Sequence, residues 1–200
     1  MDYKGDTGDP YVDPESGILI NLAGIRDAVL LEEYQGEMSI IRQFELSQNP
    51  PPSTFDFTHL RAIHRHLFQD VYAWAGEPRT VDMAKGRSRF GSHVHIASYL
   101  TKTFVSLATE RDFWRKSPAT VDWAERFSHY LGELNAAHPF REGNGRVQRL
   151  FIGLLAQEHG FEIRWDRMTA HEMVSASIAS FDGDAEPLKS LIQKQLIGKG

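Results

Sequence analysis

The sequence predicts an all-α fold carrying one small β-hairpin. Three observations lead there. Apolar residues recur at three- and four-residue spacing through most of the chain, the period of a helix with one buried face. Between residues 79 and 96 that spacing lapses, and a polar, glycine-bearing turn lies between two extended segments. No internal repeat or low-complexity tract competes with a globular reading, and 200 residues bury a sizeable core in one domain or at most two small ones.

Taken in order, residues 1–16 are rich in Asp, Gly and Pro and read as an N-terminal arm that orders late or frays. A single domain is expected over 17–197. Ile18 to Leu31 reads as a short turn and then a helix, and Glu32 to Leu46 as a further helix through Tyr34, Met38, Ile41 and Leu46. Three prolines, Pro50 to Pro52, force a loop. Leu60, Ile63, Leu67, Val71 and Trp74 then fall at helical spacing behind Asp56 or Thr58 as a cap, and Gly76-Glu77-Pro78 ends the run. In the hairpin, Thr80 to Met83 and His93 to Ile96 read as extended, around the turn Lys85 to Arg89. Helices follow at Ala97–Arg111, Val121–Asn135, Arg146–His159 (stopped by Gly160), Thr169–Phe181 and Pro187–Leu196.

Composition excludes several functions. There is no cysteine, so disulfides, zinc fingers, iron–sulfur clusters and thiol catalysis fall away. The net charge of −5 gives no bulk attraction for nucleic acid or anionic lipid, and no direct nucleic-acid or membrane binding is expected. The longest apolar run, near Leu150 to Ala156, is far below the roughly 20 residues of a membrane span. The acidic start lacks the apolar core of a signal peptide. His64 with His66 are badly spaced for metal on a helix; His93 with His95 share a strand face but find no third ligand. The aromatic stripe Trp123, Phe127, Tyr130 reads as core, and Arg87 and Arg89 as part of a docking hairpin rather than an RNA site.

The chemistry concentrates in His138-Pro139-Phe140-Arg141-Glu142-Gly143-Asn144-Gly145-Arg146-Val147-Gln148-Arg149. Glycines at 143 and 145 let another group approach the backbone just where a helix begins, and the first N–H groups of that helix lack intrahelical acceptors. Together they make an anion cradle. Arg146 and Arg149 lie three apart, on one face, near the positive end of the helix dipole, a placement that costs a few tenths to about 1 kcal/mol each. A polyanion held between them reverses that sign, because each charge-assisted bond returns roughly 1.5–3 kcal/mol. Glu142 beside phosphates implies a bridging hard cation such as Mg²⁺. His138, with an ordinary pKa near 6.5, suits a general base. Three arginines against one glutamate make this segment locally +2 in a chain of −5.

HPFREGNGRVQR resembles the motif of Fic-domain proteins, HxFx(D/E)GNGRxxR, at every fixed position. The likeness extends to the helix-and-flap stretch HLRAIHRHLFQDVYAWAGEPRTVDMAKG from His59, to Phe127–Asn135, and to Phe181-Asp182-Gly183-Asp184 with Pro187-Leu188, covering about residues 10–196. The resemblance implies a protein adenylyltransferase that moves AMP from ATP to a Ser, Thr or Tyr hydroxyl of a target protein and releases pyrophosphate. It makes His138 the catalytic base, Phe140 a structural anchor and Glu142 the Mg²⁺ ligand. Gly143, Asn144 and Gly145 become the anion hole, and Arg146 and Arg149 the phosphate clamp. Residues 80–96 become a flap that registers an extended target segment by strand addition, with Lys85 and Phe90 as candidate docking residues. Gly145, where phosphate-transferring relatives carry Lys, favours AMP transfer.

The family's inhibitory motif, (S/T)xxxE(G/N), finds no match: Ser106 to Glu110 has the spacing, but Arg111 follows. The resemblance therefore implies a toxin in the bacterial cytoplasm, held off by a small separate antitoxin that carries the motif. The alternatives are an effector fragment, translocated into a host cell, that transfers another phosphate-linked group, and an inactive Fic scaffold that docks a partner.

Overall fold

A computed structural model of the chain describes the backbone of residues 4–5, 8–85 and 88–198 and the side chains of 8–84 and 89–198. Its helices are α1 (Ala28–Gln48), α2 (Phe57–Phe68), α3 (Ile96–Lys116), α4 (Trp123–Ala137), α5 (Asn144–Glu158), α6 (Ala170–Phe181) and α7 (Glu186–Gln195). β1 (Lys4–Gly5), β2 (Met83–Lys85) and β3 (Ser88–Arg89) form an antiparallel sheet in that order, and β4 (Phe161–Ile163) pairs with β5 (Leu196–Gly198).

The apolar spacing becomes burial. Leu60, Ile63 and Leu67 of α2, Phe127 and Leu134 of α4, and Val147, Phe151 and Leu155 of α5 are at most 1% exposed. Each such side chain contributes roughly 1.5–3 kcal/mol. A single cap contributes about 1 kcal/mol. Packing therefore decides which segments are helical, and at α1, α2, α4 and α6 a side-chain cap marks where the helix begins. Asp27 accepts from the N–H groups of Val29 and Leu30, Asp56 from His59, and Asp122 from Glu125; Thr169 and Glu172 form a reciprocal capping box. α4 lies at the centre, packed on α3, α5, α6 and α7, while α2 bridges α1 and α5. The loop joining α4 to α5 is thus held at both ends by core helices. No described helix is long and apolar enough to cross a membrane.

The structure departs from the sequence expectations in six places. The two helices expected before Leu46 are one, α1, because Asp27 caps a continuous 21-residue run. α2 stops at Phe68 instead of running on to Trp74; the N–H groups of Val71 and Tyr72 fold back onto the Phe68 carbonyl, and Tyr72 stacks on Trp74 at 4.2 Å. The hairpin is shorter than expected, pairing Ala84 with Arg89 and Lys85 with Ser88. His93–His95 is a 3₁₀ turn rather than a strand, because Asp82 captures the His93 N–H and the Ser92 hydroxyl. The β4–β5 pair, only three residues long on each side, is too short to show as alternation in the sequence. Finally, the described part of the arm is not frayed. Asp9 forms an ion pair with Arg141 at 2.8 Å, both nearly buried, and the Tyr11 hydroxyl accepts the Thr80 N–H at 3.1 Å.

Candidate active site

His138 ends α4 in the left-handed conformation, with φ +43°, and its N–H donates to the Leu134 carbonyl. That conformation costs an L-residue roughly 1–2 kcal/mol. It turns the chain out of the helix and swings the imidazole towards the flap. There the ring stacks on Phe90, centroids 3.7 Å apart, and His138 is 5% exposed.

From His138 the loop closes on itself. The Asn144 side chain accepts the Phe140 N–H at 2.9 Å and donates to the Phe140 carbonyl at 2.7 Å. Phe140 is buried and stacks on His64, centroids 3.9 Å apart. His64, badly spaced for a metal ligand, braces this loop. Its Nδ1 accepts the Gly76 N–H at 2.7 Å, which leaves Nε2–H to donate to the Glu142 carbonyl at 3.0 Å. Burial lowers its pKa to about 4, against the opposing bond to that carbonyl, so the ring stays neutral at physiological pH. The signal that could have found it is an apolar helix face, Leu60, Ile63, Leu67, with a histidine beside it.

Gly143 makes the final turn at φ +80°, and a β-carbon there would lie 2.3 Å from the Phe68 ring, so only glycine fits. Its N–H donates to Glu142 Oε1 at 2.8 Å. The other Glu142 oxygen has no hydrogen-bond donor among the described residues. No described cluster of three or more His, Asp or Glu forms a self-sufficient metal site. A lone carboxylate beside an anion cradle fits Mg²⁺, which takes one or two carboxylates and completes its shell with phosphate and water.

α5 begins at Asn144 without a side-chain cap, so the N–H groups of Asn144, Gly145 and Arg146 face the cradle. Asn144 is therefore divided: its side chain closes the loop, and its backbone N–H remains for an anion. Arg146 is held from behind by α1, donating to the Gln35 carbonyl at 3.1 Å and to Ser39 Oγ at 3.0 Å. Arg149 has no hydrogen-bond acceptor among the described residues, and burial followed by the neighbouring Arg146 charge depresses its pKa. Two guanidinium groups beside open N–H donors concentrate positive charge where an anion would sit.

The two flap candidates fare differently. Phe90 is 8% exposed, and its ring stacks on that of His138. The Lys85 side chain lies outside the described residues, as do Gly86 and Arg87; the Lys85 backbone is in β2. Arg79, not anticipated from the sequence, is buried between the flap and the end of α4.

Residues 54–156 match the model of the Fic/DOC family. The protein adenylyltransferase VbhT of Bartonella schoenbuchensis is 43% identical over 194 residues, which is 97% of this chain and 40% of VbhT. The chain thus spans less than half the length of that relative. The Sinorhizobium fredii protein y4lH, named a probable protein adenylyltransferase, is 37% identical, covering 94% of this chain and 96% of its own. Among solved structures, BepC of Bartonella tribocorum with bound AMPPNP superposes with a TM-score of 0.84 at 25% identity, covering 96% of this chain and 98% of the other. A Bartonella quintana Fic domain with bound ADP gives 0.83 at 27%, covering 95% of each.

Proposed function

Because this chain belongs to the Fic/DOC family, we propose that it transfers AMP from ATP to a hydroxyl of a target protein. The observation that carries the reading is the union, in one closed loop, of a positioned imidazole with open helix N–H groups and two arginines.

In this reading the N–H groups of Asn144, Gly145 and Arg146 bind the phosphates, and Arg146 and Arg149 hold the charge farther along the chain. The acceptor oxygen attacks the α-phosphorus as its proton passes to the His138 imidazole. A new O–P bond forms, the bond from the α-phosphorus to the bridging oxygen breaks, and pyrophosphate leaves. Negative charge accumulates on the departing group, where the arginines and helix N–H groups stabilise it. Glu142 would hold Mg²⁺, which neutralises phosphate charge when bound. Donor groups that are already fixed by α1 and by the Asn144 clasp need no reorganisation during the reaction, and that is the economy of such a site.

Control by a separate antitoxin bearing (S/T)xxxE(G/N) is the finer reading. Arg149, lacking an acceptor among the described residues, is available to a carboxylate supplied from outside. A second reading, delivery into a host cell, is favoured by the structural neighbours described as VirB-translocated effectors.

The test is incubation with Mg²⁺, bacterial lysate and ATP labelled at either the α- or γ-phosphate. The α-label enters a protein band with the wild-type chain and not with His138→Ala. Transfer of γ-label without α-label, or equal labelling by His138→Ala, overturns the proposal. Suppression of labelling by a co-expressed product of a neighbouring reading frame identifies the antitoxin.

A further inference from the structure

We infer that Arg79 is a positioning residue that couples the flap to the catalytic base, setting both with one buried guanidinium. The inference rests on the adenylyltransferase reading for its readout.

A helix C-terminus leaves carbonyls without intrahelical donors, and α4 ends in the interior, where water cannot supply them. Each orphan there would carry its full desolvation cost. The flap supplies the donors. Gly91, on its returning side, donates its N–H to the Ala136 carbonyl at 3.0 Å. The Arg79 side chain donates through Nη2 to the Ala137 carbonyl at 3.3 Å and through Nε to the His138 carbonyl at 2.8 Å. The Arg79 N–H takes the Pro139 carbonyl at 2.8 Å. Four successive carbonyls, from the last turn of α4 through the base, are thus satisfied from residues 79 and 91.

The same guanidinium also grips both roots of the flap. Nη1 donates to the Val81 carbonyl on the outgoing side, and Nη2 to the Gly91 carbonyl on the returning side. Only a planar fork with five fixed donors reaches carbonyls of three chain segments at once. The side chain is wholly buried, and its charge sits against the negative end of the α4 dipole, with Asp82 of the flap 3.9 Å away. Asp82 in turn ties the two flap sides together through Ser92 and the His93 N–H at 2.7 Å. Those bonds, with the His93 backbone donor the strongest, hold its carboxyl well below the usual range, so it remains charged.

A rigid body linking flap root and base has a functional consequence. A target segment registered on β2–β3 is registered relative to the His138 peptide as well, and a misplacement of the base by about 1 Å can cost about 100-fold. The left-handed His138 conformation is strained when isolated, and this linkage is what over-determines it.

The experiment compares wild type, Arg79→Lys and Asp82→Asn. The probe is one bacterial lysate, used as a dilution series, with α-labelled ATP and Mg²⁺; the readout is the initial rate of label entering the band that the wild-type chain labels. ATP affinity is measured in parallel by calorimetry, and folding by thermal melting. Arg79→Lys keeps the charge and loses the fork. It should lower the maximal rate at least tenfold and raise the half-saturating lysate concentration several-fold, with ATP affinity within twofold of wild type. Asp82→Asn removes the carboxylate that ties the two flap sides together and lies 3.9 Å from the Arg79 guanidinium, and leaves the Arg79 fork itself intact. Coupling predicts that it too lowers the maximal rate at saturating lysate, and this arm decides the matter even if Arg79→Lys does not fold. A folded Arg79→Lys equal to wild type, or an Asp82→Asn that changes only the half-saturating concentration, overturns the inference. No α-label with the wild-type chain would instead overturn the adenylyltransferase reading, and this inference with it.

Discussion

The ring of Phe90 lies flat on the ring of His138, centroids 3.7 Å apart and planes inclined by 15°. Such a contact leaves the imidazole little freedom to rotate. Phe90→Leu keeps most of the volume and loses the stack. The expected result is a three- to tenfold lower kcat for AMP transfer at saturating ATP, with the fold retained by circular dichroism. A folded Phe90→Leu with wild-type kcat would remove Phe90 from any role at the base.

Arg146 reaches the cradle from a position fixed by α1. The Ser39 hydroxyl is one of two acceptors on its Nη1, the other being the Gln35 carbonyl. Removing one such charge-assisted bond costs roughly 1.5–3 kcal/mol, part of which the neighbouring carbonyl and water recover. Ser39→Ala is therefore expected to weaken ATP binding by about fivefold, measured by calorimetry, without a change in the half-saturating target concentration.

The pair Asp9–Arg141 joins the N-terminal arm to the active-site loop across 132 residues. Breaking a buried pair from one side strands the other charge, at a cost of about 3–5 kcal/mol. Asp9→Ala should lower the unfolding free energy by about that amount in a urea titration. Asp9→Ala combined with Arg141→Met should lose less than the sum of the two single changes, because the second removes the stranded charge. Additive losses would mean that the two side chains do not act as a pair.

His64 predicts a pH dependence. Its folded pKa is depressed to about 4, while in the unfolded chain it returns to about 6.5. Between those values the unfolded state binds the proton and the folded state does not, so stability rises with pH across this window. The contribution is complete above about pH 6.5 and is lost progressively as pH falls towards 4. His64→Gln keeps a donor for the Glu142 carbonyl but cannot titrate. The slope of unfolding free energy against pH from 4 to 6.5 should be shallower in His64→Gln than in wild type. Identical slopes would place the titration elsewhere, for example on His59 or His159, whose pKa values burial also lowers.

Much of the site was legible because its parts are close in sequence. His138, Glu142, Gly143, Arg146 and Arg149 lie in twelve consecutive residues, and their chemistry follows from residue type and from the start of a helix. What escaped notice is the set of groups that hold this loop from outside. His64, Arg79, Asp9 and Ser39 lie 59 to 129 residues before His138, and no local pattern connects them to it. The stack of Phe90 on His138 is likewise not legible, because a hairpin's alternation says which residues share a side but not what that side packs against.

The sequence by itself determined the helical class, the core stripes, most helix starts and the chemical identity of the loop, since all of these follow from short-range spacing and from the bonding capacity of single residues. The tertiary structure alone decided where that loop points. It placed a neutral histidine behind it, a buried guanidinium under its base, an aspartate of the arm against Arg141 and α1 behind Arg146. Those are long-range pairings, formed because buried carbonyls and charges cannot remain unpaired, and that requirement is met only when the whole chain has packed.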